Sequence, residues 1–331
     1  MVEVEEVQEL EKQLKELEKS EIHAPRYSPK KKSAFAKNWK DLVFYCCVLA
    51  FPILQFCIFY LGVNVNSILL AFKSYETVDS YTWTGFDNFK NLFVLFGERT
   101  MFWTAFKNSL IMFAVGTGCG LSLGMIFSYY IFKKGVGSGF FKIMLFLPSI
   151  IPSIALIVMF KQFADGAVPA IMKMFGLESQ GLLSNPDTTF GTIIFYNVFI
   201  SFGTGILMYV GAMENIPTSV FEAAKLDGAS FFIEFIKIVL PLVWGTFATF
   251  LVVNVGSIFI NQANIYAFYG PGAEESIYTI GYYLYIESVA VNAYASYPQL
   301  SAFGLMLSFI TIPLVYGTKY LCDRFGPSTE R

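Results

Sequence analysis

Residues 217–232 read Pro-Thr-Ser-Val-Phe-Glu-Ala-Ala-Lys-Leu-Asp-Gly-Ala-Ser-Phe-Phe and lie between two long apolar stretches. Within them Ser219, Glu222, Lys225, Asp227 and Ser230 can pair charge or form strong hydrogen bonds. Bond-making chemistry would need other groups. The single histidine, His23, argues against a His-based metal site or triad. The carboxylates Asp79, Asp87, Glu98 and Glu287 are scattered, so no acid–base pair emerges. No Walker-type phosphate loop is present. Cys46, Cys47, Cys57, Cys119 and Cys322 show no disulfide or zinc spacing and read as small apolar fillers. The expectation is a chain that is not an enzyme and holds no metal or cofactor. Its polar cluster reads as a docking handle for a partner.

The surrounding elements must hold that handle. The chain has 331 residues, 55% hydrophobic and 15% charged, whereas soluble domains carry about 25% charged residues. Windows without Asp, Glu, Lys or Arg cover 42–72, 108–132, 143–160, 188–213, 238–273 and 288–318. Each can cross a bilayer once, since about 20 mostly apolar residues suffice. The 36-residue window 238–273 has one candidate turn, near Asn254–Gly256, and reads as one crossing plus an extension. The predicted fold class is an all-α membrane protein with six transmembrane helices. Residues 1–40 form a cytoplasmic amphipathic helix and basic linker, 41–325 the six-helix domain with the polar element 216–236, and 326–331 a tail.

Positive charge orients the spans. Seventeen Lys and Arg fall in the two termini and the loops on their side, and six on the other side. Lys30, Lys31, Lys32, Lys37 and Lys40 abut the first span. Both termini and residues 217–232 are therefore expected in the cytoplasm, and the first span reads as an uncleaved anchor. Val4, Val7, Leu10, Leu14 and Leu17 give residues 2–19 a helical period. That helix suits either a solvated or surface-lying role or a partner contact. Pro52, Pro148 and Pro152 are expected to bend their spans, either as structural kinks or beside a pathway. Gly116, Gly120 and Gly124 form a flat helix face for close packing, preferred within the subunit over a dimer contact.

Locally, Ser219 and Glu222 have capping-box spacing, which predicts a helix start near 218–220, compatible with Pro217. Gly228 supplies the positive φ that ends a helix, and Ser230 can cap the next one. The product is a short helix, a sharp bend, and a second helix fused to the fifth span. Such an elbow is stiff enough to transmit a push into the membrane.

These residues also carry a resemblance. Ile216-Pro217, Glu222-Ala223-Ala224, Asp227-Gly228-Ala229, Phe235 and Leu240-Pro241 resemble the EAA motif of permease subunits in binding-protein-dependent ABC importers. Gly85-Phe86-Asp87-Asn88-Phe89 and Phe146-Leu147-Pro148 fit the maltose-type carbohydrate branch, and the likeness covers about residues 42–323. Where that family often has Gly-Gly-Pro after the fifth span, this chain has Tyr269-Gly270-Pro271-Gly272. The resemblance implies a type I importer permease fold with a cytoplasmic helix-turn-helix coupling element, in a bacterial cytoplasmic membrane. It implies that Glu222, Ala223, Ala224 and Asp227 contact an ATPase subunit, with Gly228 at the bend. It further implies a second permease in a heterodimer, two ATPase subunits that hold ATP and Mg, and an extracellular sugar-binding protein. Membrane lipids are expected around the chain and no nucleic acid.

Uncharged polar residues inside spans are costly in lipid unless paired. Tyr196, Asn197, Tyr209, Asn254, Asn261 and Gln262 are therefore candidates for a sugar path, with interhelical hydrogen bonding as the alternative. In 263–287, Tyr266, Tyr269, Tyr278, Tyr282, Tyr283 and Tyr285 suit either contact with the binding protein or an interfacial aromatic belt. The competing function is an ion-coupled secondary carrier or channel for a small polar solute. It would want an ionisable group within a span, and the charge-free windows offer none.

Overall fold

The computed structural model describes residues 39–75, 80–177, 180–289 and 293–327. The helix expected in residues 2–19, the linker up to residue 38, His23, Asp79 and the tail beyond Pro327 lie outside the described residues. Internal contacts divide the chain into a unit ending at Gly62 and a unit Val63–Arg331.

In the first unit, helix α1 (Trp39–Gln55) contains Pro52 and continues as a π-helical turn, Phe56–Gly62. Proline removes one rung of the helical ladder, and such wider turns are a usual response to the misfit. Large apolar side chains here, including Phe44, Phe51 and Phe59, are exposed, as befits a surface that faces lipid or a partner.

The second unit begins with α2 (Val63–Leu70) and an antiparallel hairpin, β1 (Lys73–Tyr75) with β2 (Tyr81–Trp83), in which Lys73 faces Trp83 across the register. The Lys73 ammonium lies 4.1 Å over the Tyr81 ring. Helix α3 (Asp87–Glu98) follows at the Gly-Phe-Asp-Asn-Phe piece. Gly85 has φ +59°, and the Asn88 amide donates to the carbonyls of Ala71 and Lys73 at 2.9 and 2.7 Å. That piece is thus a clasp between hairpin and helix.

Next come α4 (Thr100–Phe132), α5 (Ser138–Ile150), α6 (Ser153–Gln162), which runs through a π turn into α7 (Val168–Met174), and α8 (Pro186–Glu214). Then come α9 (Thr218–Leu226), α10 (Phe231–Glu234), a π turn Phe235–Val239, α11 (Leu240–Leu242) and α12 (Trp244–Gly256). Short α13 (Ile265–Tyr269) and α14 (Ile280–Val289) lead to the last long helix, α15 (Ala293–Phe325).

Among the described residues, five helical stretches are long and apolar enough to cross a membrane: Leu42–Leu70, Thr100–Phe132, Ser153–Met174, Pro186–Glu214 and Tyr294–Phe325. The bent pair Phe231–Leu242 and Trp244–Gly256 makes six if it is one span. The pair meets at 69°, so the second helix of the elbow enters the fifth span through a bend. The third window also differs. Ile151 is extended before Pro152, as a residue preceding proline prefers, so 143–160 is split between α5 and α6.

Helices α4 and α8 pack along each other at the centre of this unit. Side-chain clusters sit at different levels: Phe102, Ala105, Phe259 and Phe303 in one, Tyr196, Ala164 and Phe268 in another, and Tyr129, Met213, Phe221 and Val239 beside the elbow.

Candidate coupling element and cavity

The elbow forms largely as its residue types demand. Helix α9 starts at Thr218 with Pro217 in the cap position. Ser219 then falls inside the helix, and no side-chain cap hydrogen bond forms, so the expected capping box is absent. At the other end the Asp227 and Ala229 amides donate back to the carbonyls of Ala223 and Ala224. Gly228 takes φ +70°, a conformation glycine adopts without the cost a Cβ brings. Ser230 caps α10, its hydroxyl accepting from the Ile233 amide at 3.5 Å.

The helical period sorts the residues of α9 into two faces. Phe221 and Ala224 are buried, and Phe221 joins Tyr129, Met213, Ile216 and Val239 in an apolar cluster. Burial of the Phe221 side chain alone stabilises this seat by about 2 kcal/mol. Glu222, Ala223, Lys225, Asp227 and Gly228 are exposed. Ala224 therefore belongs to the seat, not to the exposed face on which it was expected. Leu226, which the sequence reading passed over, is 90% exposed, and Phe232 is 73% exposed. An isolated apolar residue beside a charged pair carries no signal in a sequence this apolar.

A cavity of about 250 Å³ lies between α4, α8 and α12. Helix α4 contributes Ser109, Gly116, Thr117, Gly120 and Gly124. From α8 come Asn197, Ser201, Gly205 and Tyr209, and from α12 and the turn after it Phe250, Asn254, Ser257 and Asn261. The glycine row serves two purposes. A Cβ on Gly120 would lie 3.2 Å from the Ser201 hydroxyl, so the helices touch there, whereas a Cβ on Gly116 would meet nothing within 4 Å. Among the described residues, no Asp, Glu, Lys, Arg or His lines this space.

Four of the six path candidates, Asn197, Tyr209, Asn254 and Asn261, thus share one wall. Tyr196 and Gln262 do not. Tyr196 is 3% exposed and packs its ring against Phe160 and Phe268, at 4.9 and 5.1 Å between centroids. Gln262 is half-buried in the turn beyond α12, where its carbonyl accepts from the Ile265 amide.

The four wall residues are not equivalent. The Asn197 amide donates to the carbonyls of Ile193 and Ala263, both at 2.9 Å, and its oxygen accepts from the Asn264 amide at 2.8 Å. Ala263 and Asn264 hold φ of +53° and +58°, a costly conformation outside glycine. Asn197 is therefore a brace for this strained turn, and the interhelical reading applies to it. The Asn261 oxygen accepts from the Ala263 amide in the same turn. Asn254 donates one bond to Phe250, four residues back. The buried Tyr209 hydroxyl has no hydrogen-bond partner among the described residues.

Most of the expected outer tyrosines are structural. Tyr282 is fully buried and donates to the Gly270 carbonyl at 2.8 Å, while Tyr269 donates to Leu183 at 2.6 Å. Tyr266 is exposed and stacks edge-on to Tyr285. Burial, with Glu287 adding to it, pushes the Tyr283 hydroxyl up to about 12. Asn108 and Ser109 of α4 fasten this region by bonds to the backbone of Ser276, Tyr278 and Ile280.

The chain has counterparts among known proteins. Residues 97–331 match the family described as binding-protein-dependent transport system inner membrane component. The chain belongs to this family. Among curated members it is 30% identical over 180 residues to "Probable ABC transporter permease protein YesP" of Bacillus subtilis, covering 53% of this chain and 57% of that one. It is 26% identical over 216 residues to the galactooligosaccharides transport system permease protein GanP of Bacillus subtilis, at 62% and 52% coverage. The maltose/maltodextrin permease MalF of Klebsiella aerogenes is 26% identical over 190 residues, at 56% and 36%. The chain spans about half the length of the first two of these relatives and less of the third.

A bacterial ABC transporter involved in the import of the acidic polysaccharide alginate contains a chain with TM-score 0.74 and 22% identity, covering 88% of this chain and 97% of that one. Its complex with an alginate pentasaccharide-bound periplasmic protein gives a TM-score of 0.71 at 21% identity. These likenesses show the fold, in agreement with the type I fold expected.

Proposed function

We propose that the chain is the permease subunit of an ATP-driven importer that carries an oligosaccharide or other carbohydrate across the bacterial cytoplasmic membrane by alternating access. A second, related permease, two ATPase subunits holding ATP and Mg, and an extracellular sugar-binding protein complete the assembly. Both termini face the cytoplasm, as does the elbow, and the chain itself makes and breaks no bonds.

One observation supports this reading most strongly. A glycine-broken elbow buries Phe221, within an apolar cluster, and Ala224, while Glu222, Ala223, Asp227 and Gly228 remain exposed. In this proposal those exposed residues meet the ATPase. The names of relatives such as GanP and MalF support a sugar cargo. Cargo passes Tyr209 and Asn254, whose wall suits a hydrogen-bonding, uncharged solute.

The test is purification in mild detergent followed by uptake in proteoliposomes. Expected are co-purifying ATPases and uptake that survives a protonophore and stops on ATP depletion. Uptake that collapses with the ion gradient and ignores ATP would favour the ion-coupled carrier instead.

A further inference from the structure

The spanning helix that follows the elbow is a poor pushrod. Between Leu242 and Trp244 the chain turns by 69°, and a π turn, Phe235–Val239, precedes the bend. An axial push entering at α10 would be spent at that break. A second route leaves the same place. Glu234, 4% exposed, closes α10, and its carboxylate oxygen lies 2.7 Å from the Lys133 ammonium and accepts from the Tyr129 hydroxyl at 2.9 Å.

Lys133 follows directly on α4, the helix whose glycine row lines the cavity. A cation there also suits the negative end of the helix dipole. The ammonium lies 5.2 Å over the ring of Phe221, on the other arm of the elbow. One side chain therefore touches both arms. The neighbouring contacts are aromatic: Phe132 with Phe221 at 5.3 Å, and Tyr129 with Phe231 and Phe235 at 4.6 and 5.0 Å. Apolar surfaces slide past one another at little cost, whereas separating a buried ion pair is strongly opposed. Among the described residues the only other ion pair, Lys90 with Asp87, is exposed.

We infer that the Lys133–Glu234 pair is the rigid link that carries elbow motion into α4 and so to the cavity, which makes Lys133 and Glu234 positioning residues for transport. The inference rests on the importer reading above. Removing the link leaves the ATPases able to dock and hydrolyse ATP but disconnects them from the cavity.

The experiment uses the co-purified complex in a background where the five native cysteines are replaced. Ser201→Cys on the cavity wall reports access to a water-soluble thiol reagent, with and without ATP, Mg and vanadate. Expected is a labelling-rate change of about tenfold in the parent. In Glu234→Gln and Lys133→Met it falls below about twofold while ATP hydrolysis keeps at least about half its rate. The swapped pair, Lys133→Glu with Glu234→Lys, restores most of the response. Single variants that respond like the parent would overturn the link. So would ATP hydrolysis and labelling response falling together without rescue by the swap, which marks a purely structural pair. Should the single variants fail to assemble, Tyr129→Phe decides. It keeps both charges and removes one hydrogen bond, so a reduced response supports the link and an unchanged one refutes it. A parent complex with no ATP response at Ser201 would refute the importer reading itself, and the link with it. Intact response in parent and variants alike refutes the link alone.

Discussion

At the bend of the elbow, between Lys225 and Ile233, hydrogen-bonding groups are met within a few residues. Gly228 and Ala229 bond back to Lys225 and Ala224, and Ser230 bonds forward to Ile233. The cavity works over long sequence distances, with Asn197 reaching Ala263 and Asn264, and there Tyr209 keeps a buried hydroxyl unpaired. The first arrangement makes a locally held bend that keeps its shape while a partner grips it. The second makes a lumen whose polar groups depend on several helices staying in place and retain capacity for a solute. The elbow should fail when its backbone is strained or its charge reversed. A lumen should fail by degrees.

The largest effect is expected at the elbow. Gly228→Val forces a β-branched residue to φ +70°, at a cost of about 1–3 kcal/mol. ATPase co-purification and uptake should both fall at least about tenfold, because 1.4 kcal/mol is already a factor of ten. Glu222→Arg reverses an exposed charge without touching the seat, so the protein should insert normally but lose its ATPase. Normal co-purification and uptake in both variants would remove the elbow from the interface.

Next comes the brace. Asn197→Leu deletes three hydrogen bonds and releases two left-handed residues, so melting of the purified protein should report a loss of about 2–4 kcal/mol. Asn254→Leu breaks one local bond and should instead cut uptake severalfold with basal ATP hydrolysis unchanged. If Asn197→Leu leaves stability intact while abolishing uptake, the division between brace and wall is wrong. Tyr209→Phe sharpens the contrast further. Losing an unpaired buried hydroxyl should raise stability by up to about 1 kcal/mol while slowing uptake.

The smallest effect concerns pH. Tyr283 is held neutral by burial, with its hydroxyl pushed up to about 12. Its stabilising contribution is complete below the ordinary tyrosine value and is lost as pH rises from about 10 to 12. Thermal melts should show the loss in that window only, and Tyr283→Phe should blunt it.

What could be read without coordinates was local or compositional. Charge-free windows gave most of the spans because lipid excludes charge; the window 143–160 did not, since it breaks at Pro152 and the stretch Ser153–Met174 carries Lys161, Asp165 and Lys173. Pro217, Gly228 and Ser230 gave the elbow because each acts on its own backbone. The failures share a cause. Ala224 and Glu222 look alike as motif letters, yet the helix turns one inward and the other out. Tyr196 and Tyr209 are both span tyrosines, and only packing puts one in an aromatic cluster and the other on the cavity wall.

Sequence alone therefore settled the membrane class, most of the apolar spans, the elbow and the family resemblance, since each depends on neighbours along the chain. Tertiary structure decided which polar residues share the cavity, where the fifth span bends, and that Lys133 meets Glu234 from 101 residues away. Those are contacts across space, and no local pattern encodes the partner of a side chain on another helix.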